Sequence, residues 1–295
     1  MKGIILVGGK GSRLYPLTMA SHKQLLPVYD KPMIYYSLAT LMEAGIRDVL
    51  IISTKEYTPR YEQLLGDGSE YGINLSYISE PSSKGTAQAL MLAEDFVGND
   101  DACLIFGDNI FLGNMKKELK FAFENAKEGR ATVFGYEVND PQRFGVVEFD
   151  KFGKVLSLEE KPQYPKSNYA VVGLYFYPNE AIKYAKTLTP SARGEYEITD
   201  VNKMFLSNDN LDVVTLNEEI HWLDAGTINS LLDASMLVKE LEHSTGQKLG
   251  CIDEIAYKNR WISKDQLLAR ASKLHPSDYS KDLIKIAKGI GVNKR

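Results

Sequence analysis

The chain has 295 residues, of which 44% are hydrophobic and 25% are charged, and its formal net charge at pH 7 is −4. This composition is ordinary for a globular protein, and the lack of a net basic field argues against nucleic acid as a partner. Two distant cysteines, and no apolar stretch near the roughly 20 residues that cross a bilayer, predict a cytoplasmic protein with no membrane partner.

The first part of the chain alternates predicted strands with predicted helices. The predicted strands are short apolar or extended runs at residues 4–7, 49–52, 75–78 and 102–106. The predicted helices repeat apolar residues at helical spacing and lie at residues 33–44, 57–65 and 86–96. Such alternation requires crossover connections, so it predicts a doubly wound, mostly parallel α/β sheet.

The second part of the chain has a different pattern. Strands joined by short turns are predicted at residues 132–136, 145–149, 155–158 and 169–177. Helices are predicted at residues 180–187 and 199–206, and for most of the chain from residue 227 onwards. We therefore expect an α/β core over residues 1–226 with an inserted small β region, and a helical region over residues 227–295 that packs on the core and forms oligomer contacts.

A glycine-rich turn, Gly8-Gly9-Lys10-Gly11-Ser12-Arg13, follows the first predicted strand. Glycines let backbone N–H groups approach phosphate oxygens without side-chain interference. The phosphate loop of ATPases requires Gly-Lys-Ser/Thr, but here Gly11 follows Lys10. The dinucleotide fingerprint requires a third glycine where Leu14 stands, which disfavours a Rossmann oxidoreductase. The turn therefore indicates a phosphate site of another kind.

Two cations accompany this glycine loop. Arg13 lies within it, and Lys23 begins a Lys-Gln-Leu-Leu-Pro run over residues 23–27. A triphosphate requires several positive groups at one place, and both cations follow the same predicted strand. The combination indicates a nucleotide substrate more specifically than the glycine loop alone.

Further motifs follow in order along almost the whole chain, at residues 8–13, 23–36, 65–68, 107–109, 144–149, 158–162, 166–171, 193–195, 197–200 and 222–224. On these segments the chain resembles the sugar nucleotidylyltransferase family, most of all its glucose-1-phosphate thymidylyltransferases. The resemblance implies that the phosphate of glucose 1-phosphate attacks the α-phosphorus of dTTP. The products would be pyrophosphate and dTDP-glucose, a precursor of deoxysugars such as those of the dTDP-rhamnose type. It also implies Mg²⁺ as cofactor and a homotetramer.

The resemblance implies a role for each residue of the site. Arg13, Lys23 and Lys161 are the expected catalytic cations, the first two on the triphosphate and the third on the sugar phosphate. The expected metal ligands are Asp108 and Asp224, either of which alone could instead be a helix cap. The expected nucleotide-binding residues are Gly8, Gly9, Gly11, Ser12, Gln24, Glu80, Gly85 and Asp108. The expected sugar-phosphate residues are Asn109, Gly145, Glu159, Lys161 and Val171.

Glu80 departs from the pattern of the family, which usually carries glutamine at this position. A glutamine amide donates to O4 of thymine and accepts from N3–H, whereas a carboxylate only accepts. We therefore expect relaxed base selectivity, or a base that is read mainly by the backbone. Val172 and Ala225 replace commoner threonines and remove hydroxyls that we expect near the sugar and the metal.

A second departure concerns regulation. The family often has a second nucleotide site for feedback inhibition, with an arginine in a turn that here reads Asn217-Glu218-Glu219. Carboxylates facing a diphosphate are repulsive. We expect weak or absent inhibition by dTDP-rhamnose at such a site.

Two other functions remain open from the sequence. The same machinery serves uridylyl- or guanylyltransferases that act on a sugar 1-phosphate. A non-catalytic regulatory homologue that binds sugar nucleotides is the alternative outside enzymes. Such a homologue would have lost Arg13, Lys23 or an acidic metal ligand, and this chain retains all of them.

Overall fold

A computed structural model of the chain describes residues 1–9, 11–80, 82 and 84–290, so Lys10 of the glycine loop lies outside the described residues. The strands are β1 (Lys2–Leu6), β2 (Pro27–Val28), β3 (Lys31–Pro32), β4 (Asp48–Thr54), β5 (Asn74–Glu80), β6 (Ala102–Phe106), β7 (Asn109–Leu112), β8 (Ala131–Glu137), β9 (Gly145–Phe149), β10 (Val155–Glu160), β11 (Tyr169–Tyr177), β12 (Leu211–Thr215) and β13 (His221–Asp224). The helices are α1 (Ile34–Glu43), α2 (Thr58–Leu65), α3 (Gln88–Leu92), α4 (Glu94–Val97), α5 (Lys116–Lys127), α6 (Glu180–Thr187), α7 (Ile198–Ser207), α8 (Ile228–Thr245), α9 (Ile252–Lys258), α10 (Lys264–Lys273) and α11 (Asp278–Ala287).

A nine-stranded sheet with the order β10-β9-β11-β6-β1-β4-β5 forms the centre of the molecule, and β8 joins β11 to β12. The four strands from β6 to β5 are parallel, whereas β11 runs antiparallel to β6. The middle of the central strand β1, residues 3–5, is buried on both faces and carries no polar side chain. The prediction of a doubly wound, mostly parallel α/β sheet is confirmed.

Two hydrophobic clusters cover the two faces of the sheet, because successive side chains of a strand point to opposite faces. Ile5 belongs to the cluster that contains Leu38 of α1, and Ile4 to the cluster that contains Leu90 of α3. The first cluster also contains Ile252 and Leu267 from the C-terminal helices. The C-terminal region therefore shares a core with the sheet.

The predicted secondary structure differs from the structure in several places; among them, helix α5 and strands β2, β3 and β12 were not predicted. The helix predicted over residues 86–96 is two short helices, α3 and α4, with Ala93 in a turn between them. The pair β7 and β13 was not predicted, because each strand has only four residues and its partner lies about a hundred residues away.

Among the residues that the structure describes, no helix combines the length and the apolar character needed to span a bilayer.

Candidate active site

A cavity of about 440 Å³ lies at the carboxyl-terminal edge of the parallel strands, where α/β sheets bind their ligands. Its volume is within the range of sites that bind small molecules. The predicted site residues that line it are Arg13, Asp108, Asn109, Gly145, Lys161, Val171 and Asp224. Residues far apart in sequence are thus brought to one cavity.

The pairing of β7 with β13 brings the two predicted metal ligands together. Asp224 stands opposite Asn109 in this antiparallel pair, and the Ala225 amide donates to the Asp108 carbonyl over 3.3 Å. Both carboxylates line the cavity. The unpredicted strand pair is therefore the element that assembles the acidic part of the site.

The two carboxylates have opposite pKa shifts. Burial acts to raise the pKa of Asp108, but the Lys23 ammonium and hydrogen bonds from Lys23 and Asn109 outweigh it and lower that pKa. Burial, with repulsion from Asp108, raises the pKa of Asp224 despite Lys23, Arg13 and Arg143 nearby. Such a separation of pKa values within one cavity is common at functional sites.

The Asn109 side chain holds the geometry around Asp108. Its Oδ1 accepts from the Trp222 indole over 2.7 Å and from the Gly173 amide over 2.9 Å, while its Nδ2 donates to Asp108 over 3.0 Å. Because Oδ1 already has two protein donors, the structure supports an orienting role for Asn109 next to the metal-ligand pair. A contact between Asn109 and the sugar phosphate stays a prediction.

Lys23 forms a salt bridge with Asp108, although it does not line the cavity. It begins a short 3-10 helix, Lys23–Leu25, and only 7% of its side chain is exposed. A buried ammonium requires a paired anion, and Asp108 is that anion. The structure thus places the predicted second cation of the triphosphate site at the acidic pair.

Arg13 reaches the same place from the glycine loop. A Cβ added to Gly226 would lie 2.9 Å from Nη2 of Arg13 and 3.0 Å from Oδ1 of Asp224. Arg143 approaches Asp224 from another side, with Nη2 3.4 Å from Oδ2. Two guanidinium groups therefore flank the carboxylate, and positive charge of this kind suits an anionic substrate.

Lys161 follows β10 with a left-handed backbone, φ +45°. Strand alternation would turn Lys161 to the face opposite Glu160, but the left-handed turn puts both side chains at the cavity. The Lys161 amide donates to the Phe144 carbonyl over 2.9 Å and fixes this turn.

Glu159 is exposed and does not line the cavity, whereas Glu160 does. The cavity therefore receives Glu160 and not Glu159, the predicted sugar carboxylate. The physical reason is alternation: buried Leu158 and Glu160 share one face of β10, and Glu159 lies on the other.

At the end of the cavity away from the aspartate pair, one arginine forms ion pairs with two carboxylates. Glu160 accepts from the Thr199 hydroxyl over 2.5 Å, and Arg193 lies 3.5 Å from both Glu160 and Glu197. Glu197 accepts from Ser191 over 2.9 Å, and burial raises its pKa. Carboxylates held in this way can accept hydrogen bonds from the hydroxyls of a sugar.

Two of the predicted nucleotide-binding residues, Gln24 and Glu80, lie next to the glycine loop. Gln24 is buried, and its Nε2 donates to the Gly8 carbonyl over 3.4 Å, while its Oε1 has no hydrogen-bond partner in the described chain. Glu80 is buried at the end of β5, and one of its oxygens would lie 3.5 Å from a Cβ on Gly8. Burial raises the pKa of Glu80.

The remaining predicted loop residues do not line the cavity. Gly9 and Gly11 have positive φ, +86° and +58°, and Thr18 donates to the Gly11 carbonyl over 2.8 Å. Ser12 is exposed at the start of a 3-10 helix. A Cβ on Gly85 would meet the Tyr196 backbone at 2.5 Å, so this glycine is required by chain packing next to the carboxylate end.

Val172 and Ala225, where threonine hydroxyls were expected, do not line the cavity. Val172 is fully buried in the core on the face of β11 opposite Val171, which lines the cavity. Ala225 is fully buried against Leu14 and Val238 in a third hydrophobic cluster. Both side chains therefore pack away from the place where a sugar or a metal would bind.

Asp108 and Asp224 are suitable ligands for a hard divalent cation. Mg²⁺ is usually held by one or two carboxylates together with substrate phosphates and waters. In the described part of the chain, no group of three or more His, Cys, Asp or Glu side chains is arranged to hold a metal ion. The pair therefore suits a cation whose other ligands come from the substrate.

Several cavity residues were not singled out from the sequence, namely Arg143, Glu160, Glu197 and Thr199. Side chains alternate between the two faces of a strand, so the apolar Leu158 would have identified Glu160 as a residue on the same face. For Arg143 there is no local signal, because its partner Asp224 is 81 residues away in sequence.

The chain is similar to known proteins over nearly its whole length. A family model described as nucleotidyl transferase matches residues 2–240. The glucose-1-phosphate thymidylyltransferase of Neisseria gonorrhoeae is 52% identical over 285 residues, 96% of this chain and 98% of that protein. The enzyme of the same name from Mycobacterium tuberculosis is 49% identical over 287 residues, 97% of this chain and 99% of that protein.

Solved structures agree with these similarities. A structure from Bacillus anthracis, described as a glucose-1-phosphate thymidylyltransferase in complex with sucrose, is 45% identical with a TM-score of 0.75. The match covers 80% of this chain and 94% of that one. A UDP-glucose pyrophosphorylase in complex with UDP-glucose is 22% identical with a TM-score of 0.69 over 81% of this chain and 98% of that one, which shows a common fold.

Proposed function

The chain belongs to the nucleotidyl transferase family, and from that premise we propose that it is an enzyme that transfers a thymidylyl group from dTTP to glucose 1-phosphate. Relatives about 50% identical over nearly the whole chain are named for this activity. The observation that carries the proposal is a single cavity with cations and a carboxylate pair at one end and hydroxyl-accepting carboxylates at the other.

The reaction joins two anions, so its barrier is electrostatic. Attack by the sugar phosphate on the α-phosphorus requires positive charge around the transferred group and around the leaving pyrophosphate. Arg13 and Lys23 lie on the side of the glycine loop and serve the nucleotide phosphates. Lys161 lies on the other side, where it binds the sugar phosphate and orients it for in-line attack.

Nucleotidyl transferases require a divalent metal, and we assign Mg²⁺ to Asp108 and Asp224. A bound Mg²⁺ would neutralise charge that develops on the phosphate oxygens. Asn109 orients the first of these ligands, and Arg143 contacts the second. Removal of divalent metal with a chelator should abolish turnover, and added Mg²⁺ should restore it.

The sugar end of the cavity selects glucose 1-phosphate. Glu160 accepts hydrogen bonds from sugar hydroxyls while Thr199 and Arg193 fix its carboxylate. Gly145 and Val171 supply the cavity wall next to it, where the lack of a long side chain leaves room for the ring. This assignment replaces Glu159 by Glu160.

Glu80 and Gln24 lie where the base would bind, beside the glycine loop. Burial raises the pKa of Glu80, and a protonated carboxyl both donates and accepts, as an amide does. The ionised form only accepts. Base selectivity is therefore relaxed when Glu80 is ionised, with UTP and GTP as the competing nucleotides.

We also assign the enzyme to the cytoplasm as a homotetramer. An exposed apolar stripe on α8, formed by Ile228, Leu232 and Met236, supports contact between copies through the C-terminal region. Light scattering of the purified protein measures its mass in solution. A mass near 33.1 kDa, that of one chain, would contradict the homotetramer.

Pyrophosphate release across a panel of nucleotides and sugar 1-phosphates tests the proposed function. We expect release with dTTP and glucose 1-phosphate together, and none when either is omitted. Faster release with UTP or GTP than with dTTP would assign the chain to another transferase, and no release with any pair would support a regulatory homologue.

A further inference from the structure

His22 lies immediately before Lys23, and only 3% of it is exposed. Its ring stacks on Tyr57 with centroids 4.5 Å apart, and its Nδ1 lies 2.5 Å from the Tyr61 hydroxyl. The His22 carbonyl accepts from the Leu25 amide over 3.0 Å, within the 3-10 turn that carries Lys23. The ring thus links helix α2 to the turn of a catalytic cation.

The hydrogen bond with Tyr61 fixes the tautomer of the imidazole. Within the described residues, Nδ1 is the one polar atom that the structure gives to the fully buried Tyr61 hydroxyl. A buried hydroxyl requires an acceptor, so Tyr61 donates to Nδ1. The proton of a neutral His22 ring is then on Nε2.

The Nε2 atom is a buried donor that lacks a hydrogen-bond partner among the described residues. The glycine loop packs against the turn that carries His22: Gln24 donates to the Gly8 carbonyl over 3.4 Å, and a Cβ on Gly11 would lie 3.4 Å from Cβ of Lys23. Gly9 is close enough for its carbonyl to favour the protonated ring, although the two groups do not meet hydrogen-bond geometry. Burial nevertheless dominates and lowers the pKa of His22 to about 4, so the ring is neutral near pH 7. A closer approach of the Gly9 carbonyl would satisfy the donor.

We infer that His22 is a positioning residue for the glycine loop and that its Nε2–H donates to the Gly9 carbonyl when nucleotide phosphates bind beside that loop. The inference rests on the proposed function. An unsatisfied buried donor costs free energy, and nucleotide binding recovers that cost by closing the bond. Nucleotide affinity therefore includes a contribution from a side chain that does not touch the nucleotide.

Two substitutions separate this role from packing. In His22→Gln the amide nitrogen takes the place of Nε2 and keeps a donor towards Gly9. In His22→Asn the shorter amide takes the place of Nδ1, keeps the contact with Tyr61 and loses the donor towards Gly9. A role in packing against Tyr57 and Tyr61 predicts that His22→Asn is the milder change.

Calorimetric titration with dTTP and Mg²⁺, without sugar phosphate, measures the affinity. We expect His22→Asn to raise the Kd about tenfold and His22→Gln to raise it less than threefold. The KM for glucose 1-phosphate should stay within twofold of wild type in both variants. Equal affinities in the two variants, or a milder effect of His22→Asn, would overturn the inference.

A second measurement does not depend on the variants folding. In wild-type protein with ¹⁵N-labelled histidine, we expect the His22 ring to show a proton on Nε2 and none on Nδ1. That proton should exchange more slowly after dTTP is added. A proton on Nδ1, or exchange that dTTP leaves unchanged, contradicts the inference. Loss of thymidylyl transfer by wild type itself would instead contradict the proposed function.

Discussion

Glu159 and Glu160 are neighbours in sequence whose carboxylates reach different surroundings. Glu160 faces the cavity, where Thr199 and Arg193 hold it, and Glu159 faces outwards. Glu160→Gln should raise the KM for glucose 1-phosphate about tenfold, because a charged acceptor of a sugar hydroxyl is lost. Glu159→Gln is the matched control and should leave that KM unchanged. A larger effect of Glu159→Gln in steady-state kinetics would restore the assignment made from the sequence.

We expect the base selectivity to depend on pH, because it depends on whether the Glu80 carboxyl is protonated. Burial raises its pKa, so the protonated form, which mimics an amide, increases as pH falls through that pKa. The ratio of kcat/KM for dTTP to that for GTP should therefore rise as the pH is lowered through the raised pKa of Glu80. In Glu80→Gln the ratio should be high at every pH. A ratio independent of pH in wild type would show that the backbone reads the base.

Glu160 and Glu80 show how far the role of a single residue could be predicted from the sequence. The motif placed a carboxylate next to Lys161, but it did not specify which of two adjacent residues faces the sugar. Alternation along β10 decides this, and burial of Leu158 is its reference point. The environment of Glu80 depends on the glycine loop that packs against it. The sequence around Glu80 gives no sign of this contact.

At the scale of elements, close packing of β11 against β7 makes the acidic site. A Cβ on Gly173 would lie 2.5 Å from the Phe106 ring and 2.7 Å from Oδ1 of Asn109. Gly173→Ala should therefore displace Asn109, misplace Asp108 and lower kcat at least tenfold. The free energy of unfolding should fall by about 1–3 kcal/mol, the usual cost of overpacking.

Gly135→Ala is the control for this prediction. Gly135 is also buried in the same sheet, but the nearest atom to an added Cβ is 3.4 Å away, an ordinary contact. We expect kcat within twofold of wild type, measured beside Gly173→Ala in the same assay. Similar losses in both variants would mean that any added methyl in the sheet impairs the enzyme.

Two of the elements that escaped prediction, β7 and β13, have partners that are distant in sequence. Three of the four parallel strands, β1, β4 and β6, contain continuous apolar runs, so their pattern sufficed to predict them. β7 and β13 have four residues each, and they become strands because they pair with one another. The helix expected over residues 86–96 is interrupted at Ala93, a residue with high helix propensity, so tertiary packing overrides the local pattern.

At the scale of the whole molecule, regulation is the property most open to test. The turn Asn217-Glu218-Glu219 is exposed, and both of its carboxylates face solvent. An anionic diphosphate would be repelled there. We expect dTDP-rhamnose to inhibit only by competition with dTTP, and weakly, in initial-rate measurements. Strong inhibition that is non-competitive with dTTP would reveal a working second site.

The resemblance predicted the family because its motifs occur in order along almost the whole chain. That order places cations, carboxylates and glycines at one edge of a parallel sheet, and the structure brings Arg13, Asp108, Lys161 and Asp224 to one cavity there. The contacts that tune these groups, such as those of His22 and Asn109, depend on packing between distant segments and were not predicted.

We propose that thymidylyl transfer takes place at the carboxylate pair Asp108 and Asp224. ³¹P NMR of dTTP and glucose 1-phosphate incubated with the protein and Mg²⁺ identifies the products directly. We expect the paired resonances of dTDP-glucose together with pyrophosphate, and at least a hundredfold less of both with Asp224→Asn. Unchanged substrate resonances with wild type, or equal product formation by Asp224→Asn, would contradict the proposal.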